Sequence, residues 1–290
     1  MAGKSALRVL VATDGSRDAR AAITTTLNFP WPARTRVRVI SARRTRAEYR
    51  RSLLLAALDR GAEKAAESAR RTLSRRWPDV EVGIVDKSPV DGILGEAERF
   101  HADIIVVGWR GHGAVRRLLM GSVSRGVVRA AACAVLVVRR AQRVSTIVVG
   151  VDGSASSKRA LALVGRLGPP RGGRVTLVSA VELLTPPPRG RVPGAASIAR
   201  EVRRQNAIRA RTAMKSLERA GAELGRIGWH PRTRLVHGEP LRELLGAVAA
   251  SRAQLLAVGA RGTSGIRYLL LGSVAEGALN RSPVAVLVAR

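Results

Sequence analysis

The chain has 290 residues, 46% hydrophobic but only 3% aromatic, enough for one or two domains around an aliphatic core. No apolar run reaches the roughly 18 residues of a membrane helix, and the N-terminal stretch Val9 to Thr13 meets Asp14 before it can form a secretory h-region, so a cytoplasmic protein is expected. A single cysteine, Cys133, excludes an internal disulfide and a thiol-based metal site within one chain, and its place at the head of an apolar run suits a buried, inert thiol.

In chain order, Arg8 to Ala12 is a short apolar run that reads as a strand, and Ser16 is a plausible N-cap for the helix after it. Val37 to Ser41 reads as a second strand and Ser52 to Arg76 as a long amphipathic helix. Glu81 to Val85 is a third strand, and Pro89 to Phe100 a helix with proline in its first turn. Asp103 to Val107 is a continuous apolar strand, Ser122 to Ala131 a helix, and Ala134 to Val138 the last strand. Five strands alternating with helices predict a parallel, doubly wound, Rossmann-like sheet covered on both faces, an α/β/α sandwich.

The order then repeats. Arg8 to Ser16 recurs as Thr146 to Ser154 at an offset of 138 residues, and both copies reach Asp-Gly-Ser after an apolar run. From Pro89 onward the offset is 151, so the second copy holds 13 extra residues, which the proline-rich stretch Thr185 to Gly194 is expected to accommodate as a loop. Two tandem domains are expected, residues 1–140 and 145–290, held together by the short linker between them.

Each copy carries the pattern G-x2-G-x9-G-S, at Gly108 to Ser122 and at Gly259 to Ser273. The first glycine ends a strand and the Gly-Ser pair opens a helix. Glycines allow close backbone approach, and a helix N-terminus offers N–H groups and a positive dipole end to phosphate. Arg110, Arg116, Arg117, Arg261 and Arg267 lie in these loops and could neutralise its charge. Neither loop is a Walker A motif or a G-x-G-x-x-G fingerprint. His112 sits inside the first loop, and no two histidines stand at metal-ligand spacing. No nucleophile–base pair stands out, so a binding protein is expected rather than an enzyme, with slow ATP hydrolysis as its upper limit.

The formal charge of +30 is mostly arginine, scattered over both halves. Two ATP molecules at roughly −4 each would offset only about a quarter of it. A nucleic-acid partner is open on these grounds, but arginine-rich coding explains the excess as well and is favoured.

The Asp-Gly-Ser turns, the glycine loops and the closing Val-Leu-Val strands together resemble the universal stress protein family over nearly the whole chain. That resemblance implies a five-stranded parallel sheet in each domain, domains paired through their last strands as an intramolecular pseudo-dimer, and a stress-response regulator with an unidentified protein partner. Homo-oligomers are left open. The implied cofactor is ATP or another adenine nucleotide, with or without Mg2+. By resemblance Asp14 and Asp152 face its ribose and adenine side, and Ala42 and Ala180 meet adenine through the backbone. Gly108, Gly111, Gly121, Ser122, Val123 and Ser124 would line one ribose-phosphate site; Gly259, Gly262, Gly272, Ser273 and Val274 would line the other. Lys87 against Gly238, and Ser124 against Ala275, are the departures between copies expected to make the two sites unequal.

Overall fold

The computed structural model describes residues 6–43, 53–111, 120–169, 172–187, 194–262 and 271–290. The first half runs β1 (Arg8–Ala12), α1 (Arg17–Asn28), β2 (Arg36–Arg43), α2 (Leu53–Leu73), β3 (Glu81–Asp86), α3 (Pro89–Arg99), β4 (Ile104–Gly108), α4 (Ser122–Ala130) and β5 (Ala134–Val138). The second half repeats it as β6 (Thr146–Gly150), α5 (Ala155–Leu167), β7 (Arg174–Val181), α6 (Ala195–Gly225), β8 (Pro231–His237), α7 (Pro240–Ser251), β9 (Leu255–Gly259), α8 (Ser273–Arg281) and β10 (Ala285–Ala289). The elements expected from the sequence are present, with bounds shifted by one to three residues; β2 extends to Arg43, α2 ends at Leu73 rather than Arg76, and the expected helix start at Ser52 lies outside the described residues.

All ten strands form one sheet in the order β3-β2-β1-β4-β5-β10-β9-β6-β7-β8. Within each half every pairing is parallel, and the strand order reverses beside β1 and β6, the position beyond whose strand ends open α/β sheets bind their ligands. The halves join through an antiparallel pair, β5 on β10, in which Val135 meets Val288, Leu136 meets Leu287 and Val137 meets Val286. Leu136 and Leu287 are counterparts at the offset of 151, so a local two-fold axis passes through that pair. Both strands are buried along their whole length, as their unbroken apolar runs require.

Two aliphatic layers sandwich the sheet. One joins α1, α2, α5 and α6 through Ile23, Leu73, Leu161 and Leu217 among others, and the other joins α3, α4, α7 and α8 through Ile93, Val127, Leu244 and Ala278. Each layer crosses from one half into the other.

Arginines reinforce the junction reciprocally. Arg139 Nη2 donates to the Leu279 carbonyl at 2.8 Å and the Asn280 carbonyl at 2.5 Å, near the C-terminus of α8. Its counterpart Arg290 donates to the matching carbonyls of α4, Val128 at 2.8 Å and Arg129. Both cations meet the negative end of a helix dipole. Burial, with Arg110 nearby, lowers Arg139 to about 10. Trp109 adds a link found on one side only: its indole Nε1–H donates to the Leu279 carbonyl at 2.9 Å, whereas its counterpart is Ala260. At the opposite end of the strands Asp103 accepts from Arg8 N at 2.8 Å and pairs with Arg166 of the other half at 2.8 Å, a structural role. Cys133 is half-buried, and desolvation pushes its thiol up to about 11, consistent with an inert group.

In the proline-rich stretch expected to take up the 13 extra residues, the described residues 185–187 carry neither helix nor strand, and α6 begins after it at Ala195; residues 188–193, and residues 44–52 that precede α2 in the first copy, lie outside the described residues.

Candidate functional site

Beyond the carboxyl ends of β1 and β6, each Asp-Gly-Ser forms a tight turn. Gly15 and Gly153 take φ of 75° and 80°, a left-handed conformation that suits glycine. Asp14 Oδ1 accepts from Ser16 N at 2.9 Å, and Asp152 Oδ1 from Ser154 N at 2.9 Å, the local bonding that favours Asp in such turns. The serines then do two things. Ser16 Oγ accepts from Ala19 N at 3.2 Å to cap α1 and donates to the Arg110 carbonyl at 3.1 Å. Ser154 Oγ accepts from Ser157 N at 3.1 Å to cap α5 and donates to the Arg261 carbonyl at 3.2 Å. Each Asp-Gly-Ser turn is thus tied to the glycine loop that leaves β4 or β9.

The glycines explain how closely these segments approach. A Cβ on Gly108 would lie 2.6 Å from the Asp18 carbonyl carbon, and one on Gly259 would lie 2.7 Å from that of Ser156. At Gly111 a Cβ would meet Asp14 Oδ2 at 2.4 Å, and at Gly262 it would meet Asp152 Oδ2 at 3.0 Å. The first two glycines of each loop therefore have a packing role that needs no ligand. Gly121 N donates to the Trp109 carbonyl at 2.9 Å, and Gly272 N to the Ala260 carbonyl at 2.8 Å, which returns each loop to its own start.

The helices that follow are left open at their N-termini. Gly121 and Gly272 are N-caps with no side-chain hydrogen bond to α4 or α8. By contrast α1, α3, α5 and α7 are capped by Ser16, Ser88, Ser154 and Glu239. The first-turn N–H groups of Ser122, Val123 and Ser124, and of Ser273, Val274 and Ala275, have no acceptor within their helices. Ser122 and Ser273 are exposed beside them, as are Asp14 and Asp152. Ala42 and Ala180, near the ends of β2 and β7, are half-buried.

The two sites differ in detail. The Ser124 hydroxyl donates to the Gly108 carbonyl at 2.6 Å, so its proton serves the loop and is not free for a phosphate; Ala275 replaces it in the second half. Lys87 is exposed where the second half has Gly238, whose φ of 149° and whose Cβ position, 2.6 Å from Glu243 Oε1, call for glycine. Arg110 stacks on Trp109 at 3.9 Å and Arg139 on the same indole at 3.6 Å, gathering two guanidiniums near the first loop. Asp18 completes this group: burial raises its pKa, opposed by a hydrogen bond from the Arg110 backbone and by the charge of Arg110. Repeat comparison passed over Asp18 because its counterpart is Ser156; its signal was an acid in the first turn of α1. His112, Arg116, Arg117 and Arg267 lie outside the described residues.

Comparison with known proteins agrees with this architecture. The sequence profile of the universal stress protein family matches twice, over residues 6–139 and 144–290. A universal stress protein of Mycobacterium tuberculosis is 31% identical over 237 residues, covering 78% of this chain and 72% of that protein. A second from the same organism is 29% identical over 219 residues, covering 73% and 69%. The crystal structure of a universal stress protein from Archaeoglobus fulgidus shares the fold over 98% of both chains, with a TM-score of 0.67 at 20% identity. With two family matches in tandem, and a ten-stranded sheet that pairs their last strands, this chain belongs to the universal stress protein family.

Proposed function

We propose that each half binds an adenine nucleotide, ATP or a close relative, and that the protein is a stress-response regulator rather than an enzyme. The observation that carries this reading is the pair of uncapped N-termini, α4 and α8, placed beyond β4 and β9 beside the switch in strand order. Such a terminus accepts phosphate without further machinery. In this reading the N–H groups of Ser122, Val123 and Ser124 hold one phosphate chain, and those of Ser273, Val274 and Ala275 the other. The exposed carboxylates of Asp14 and Asp152 take the ribose side, and the main chain at Ala42 and Ala180 takes the adenine. Mg2+, where present, would ride on the phosphates. Charge-assisted hydrogen bonds contribute about 1.5–3 kcal/mol each, so three or four bring binding into the micromolar range after entropic losses. Nucleotide at about 1,000 times its Kd would stabilise the fold by about 4 kcal/mol, enough for occupancy to set lifetime or partner choice.

The test is calorimetric titration of ATP into wild type, Gly121→Asp and Gly272→Asp. An aspartate at either position caps its own helix and repels phosphate, so folding is retained while one site is lost. Wild type should bind two nucleotides and each variant one. Mass spectrometry of material released from gently purified, denatured protein should show an adenine nucleotide. No heat of binding, together with no released nucleotide, would overturn the reading.

A further inference from the structure

The first 22 residues of α6 take no part in the core. Its buried residues are Leu217, Ala220 and Leu224, all near its C-terminal end. The helix passes the second Asp-Gly-Ser turn at Ser216, whose Oγ lies 3.0 Å from where a Gly153 Cβ would stand. At about 1.5 Å per residue, Ala195 to Lys215 therefore extend roughly 30 Å past that turn. This overhang is held in place: the Asn206 amide accepts from Leu184 N at 2.9 Å and donates to the Leu184 carbonyl at 3.0 Å, and Arg209 donates to the Glu182 carbonyl at 3.3 Å.

What the overhang presents is positive charge. The sequence of α6 has seven basic and three acidic residues, against four and three in α2. Glu201 is already matched by Arg204 at 2.8 Å, which holds its carboxyl down to about 2. Arg200, Arg203, Arg211 and Lys215 are exposed and have no acidic partner among the described residues. At about 100° per residue, Arg200, Arg211 and Lys215 share an arc of roughly 60° on the side away from Leu217, while Arg203 lies about 60° to one side of Arg200, towards the Leu217 face. Like charges at this spacing destabilise a helix, so the stripe weakens the element that carries it.

We propose that this stripe is a docking surface for the phosphate backbone of double-stranded DNA. Arg200 to Lys215 spans about 22 Å of helix, and a duplex presents one phosphate charge per roughly 1.7 Å of its axis. A helix is about 10–12 Å across with its side chains, so one free of the core on its outer side fits a major groove about 12 Å wide. An anionic membrane is the poorer match, because its helices need a continuous apolar face. Here the exposed Ile198, Ile208 and Met214 point in different directions around the helix. The proposal does not depend on nucleotide binding.

The test measures anisotropy of a labelled 30-base-pair duplex with the full chain as NaCl is raised from about 50 to 300 mM. Three proteins are compared: wild type, a variant with Arg200, Arg203, Arg211 and Lys215 changed to glutamine, and a variant with Arg34, Arg75, Arg159 and Arg281 changed to glutamine. The last four are also exposed but lie outside α6, so both variants carry the same net charge. Each contact contributes about −0.9 to the slope of log K on log salt, so the α6 variant should lose roughly 3 to 4 units of slope and bind at least about tenfold more weakly at 100 mM. The control variant should stay close to wild type. Circular dichroism and urea denaturation verify folding, since none of the eight positions is buried. Equal losses in both variants, no wild-type binding at 100 mM salt, or binding to phosphatidylglycerol vesicles without binding to the duplex would each overturn the proposal.

Discussion

At the scale of single residues, the glycines separate into those fixed by close contact and those that are merely small. A methyl group on Gly108 would collide with the backbone of Asp18 and Ala19 at 2.6–2.8 Å, and backbone cannot swing aside as a side-chain tip can. Gly108→Ala should therefore cost about 1–3 kcal/mol, the usual range for overpacking. Gly61, within α2, has nothing within 4 Å of its would-be Cβ, so Gly61→Ala should stabilise by up to about 1 kcal/mol through helix propensity. Urea denaturation of the two variants should move the midpoint in opposite directions. Motif reading alone assigned Gly108 and Gly259 to phosphate binding. Their contacts show that they first let a helix start lie against a strand end, and any ligand contact comes in addition.

At the scale of elements, the strands were the most legible because burial on both faces leaves a continuous apolar run, as in Ile104 to Val107 and Val135 to Val138. The capped helix starts were legible too, since Ser16 and Ser154 combine a cap with a turn. The upper part of α6 was not. Periodicity reports an apolar stripe pressed against a core, and 22 residues without a buried side chain carry no such stripe. The same fact divides the helix energetically. Leu217→Ala should cost about 2–5 kcal/mol, the range for emptying a core site. Ala207→Pro breaks the helix above the core, and its cost is bounded by the local opening of that overhang. It should reduce helical signal in circular dichroism while lowering the unfolding free energy obtained from the urea curve by under about 1 kcal/mol. A loss as large as that of Leu217→Ala would show that the overhang unfolds together with the domain.

At the scale of the molecule, the sequence announced two copies, and the structure adds that they are one body, with a single sheet and two core layers running through both. The junction depends on contacts no motif reports, because they join residues about 140 to 170 apart. Arg139→Ala and Arg290→Ala each remove charged hydrogen bonds to the end of the opposite helix and should cost similar amounts, about 1–3 kcal/mol, in equilibrium unfolding. Trp109→Phe should cost about 1 kcal/mol from one direction only, since Ala260 has no bond to lose.

The antiparallel meeting of β5 and β10 around Leu136 and Leu287 is an interface of the kind that two identical subunits form with each other. In a dimer of separate chains its occupancy would depend on protein concentration, and every substitution would appear at both sites at once. Here a linker of a few residues sets the local concentration near the millimolar range, so the pairing persists at any dilution. A change can then enter one site and spare the other. Trp109 facing Ala260, Asp18 facing Ser156 and Lys87 facing Gly238 are changes of that kind, open to a duplicated chain and closed to a symmetric pair.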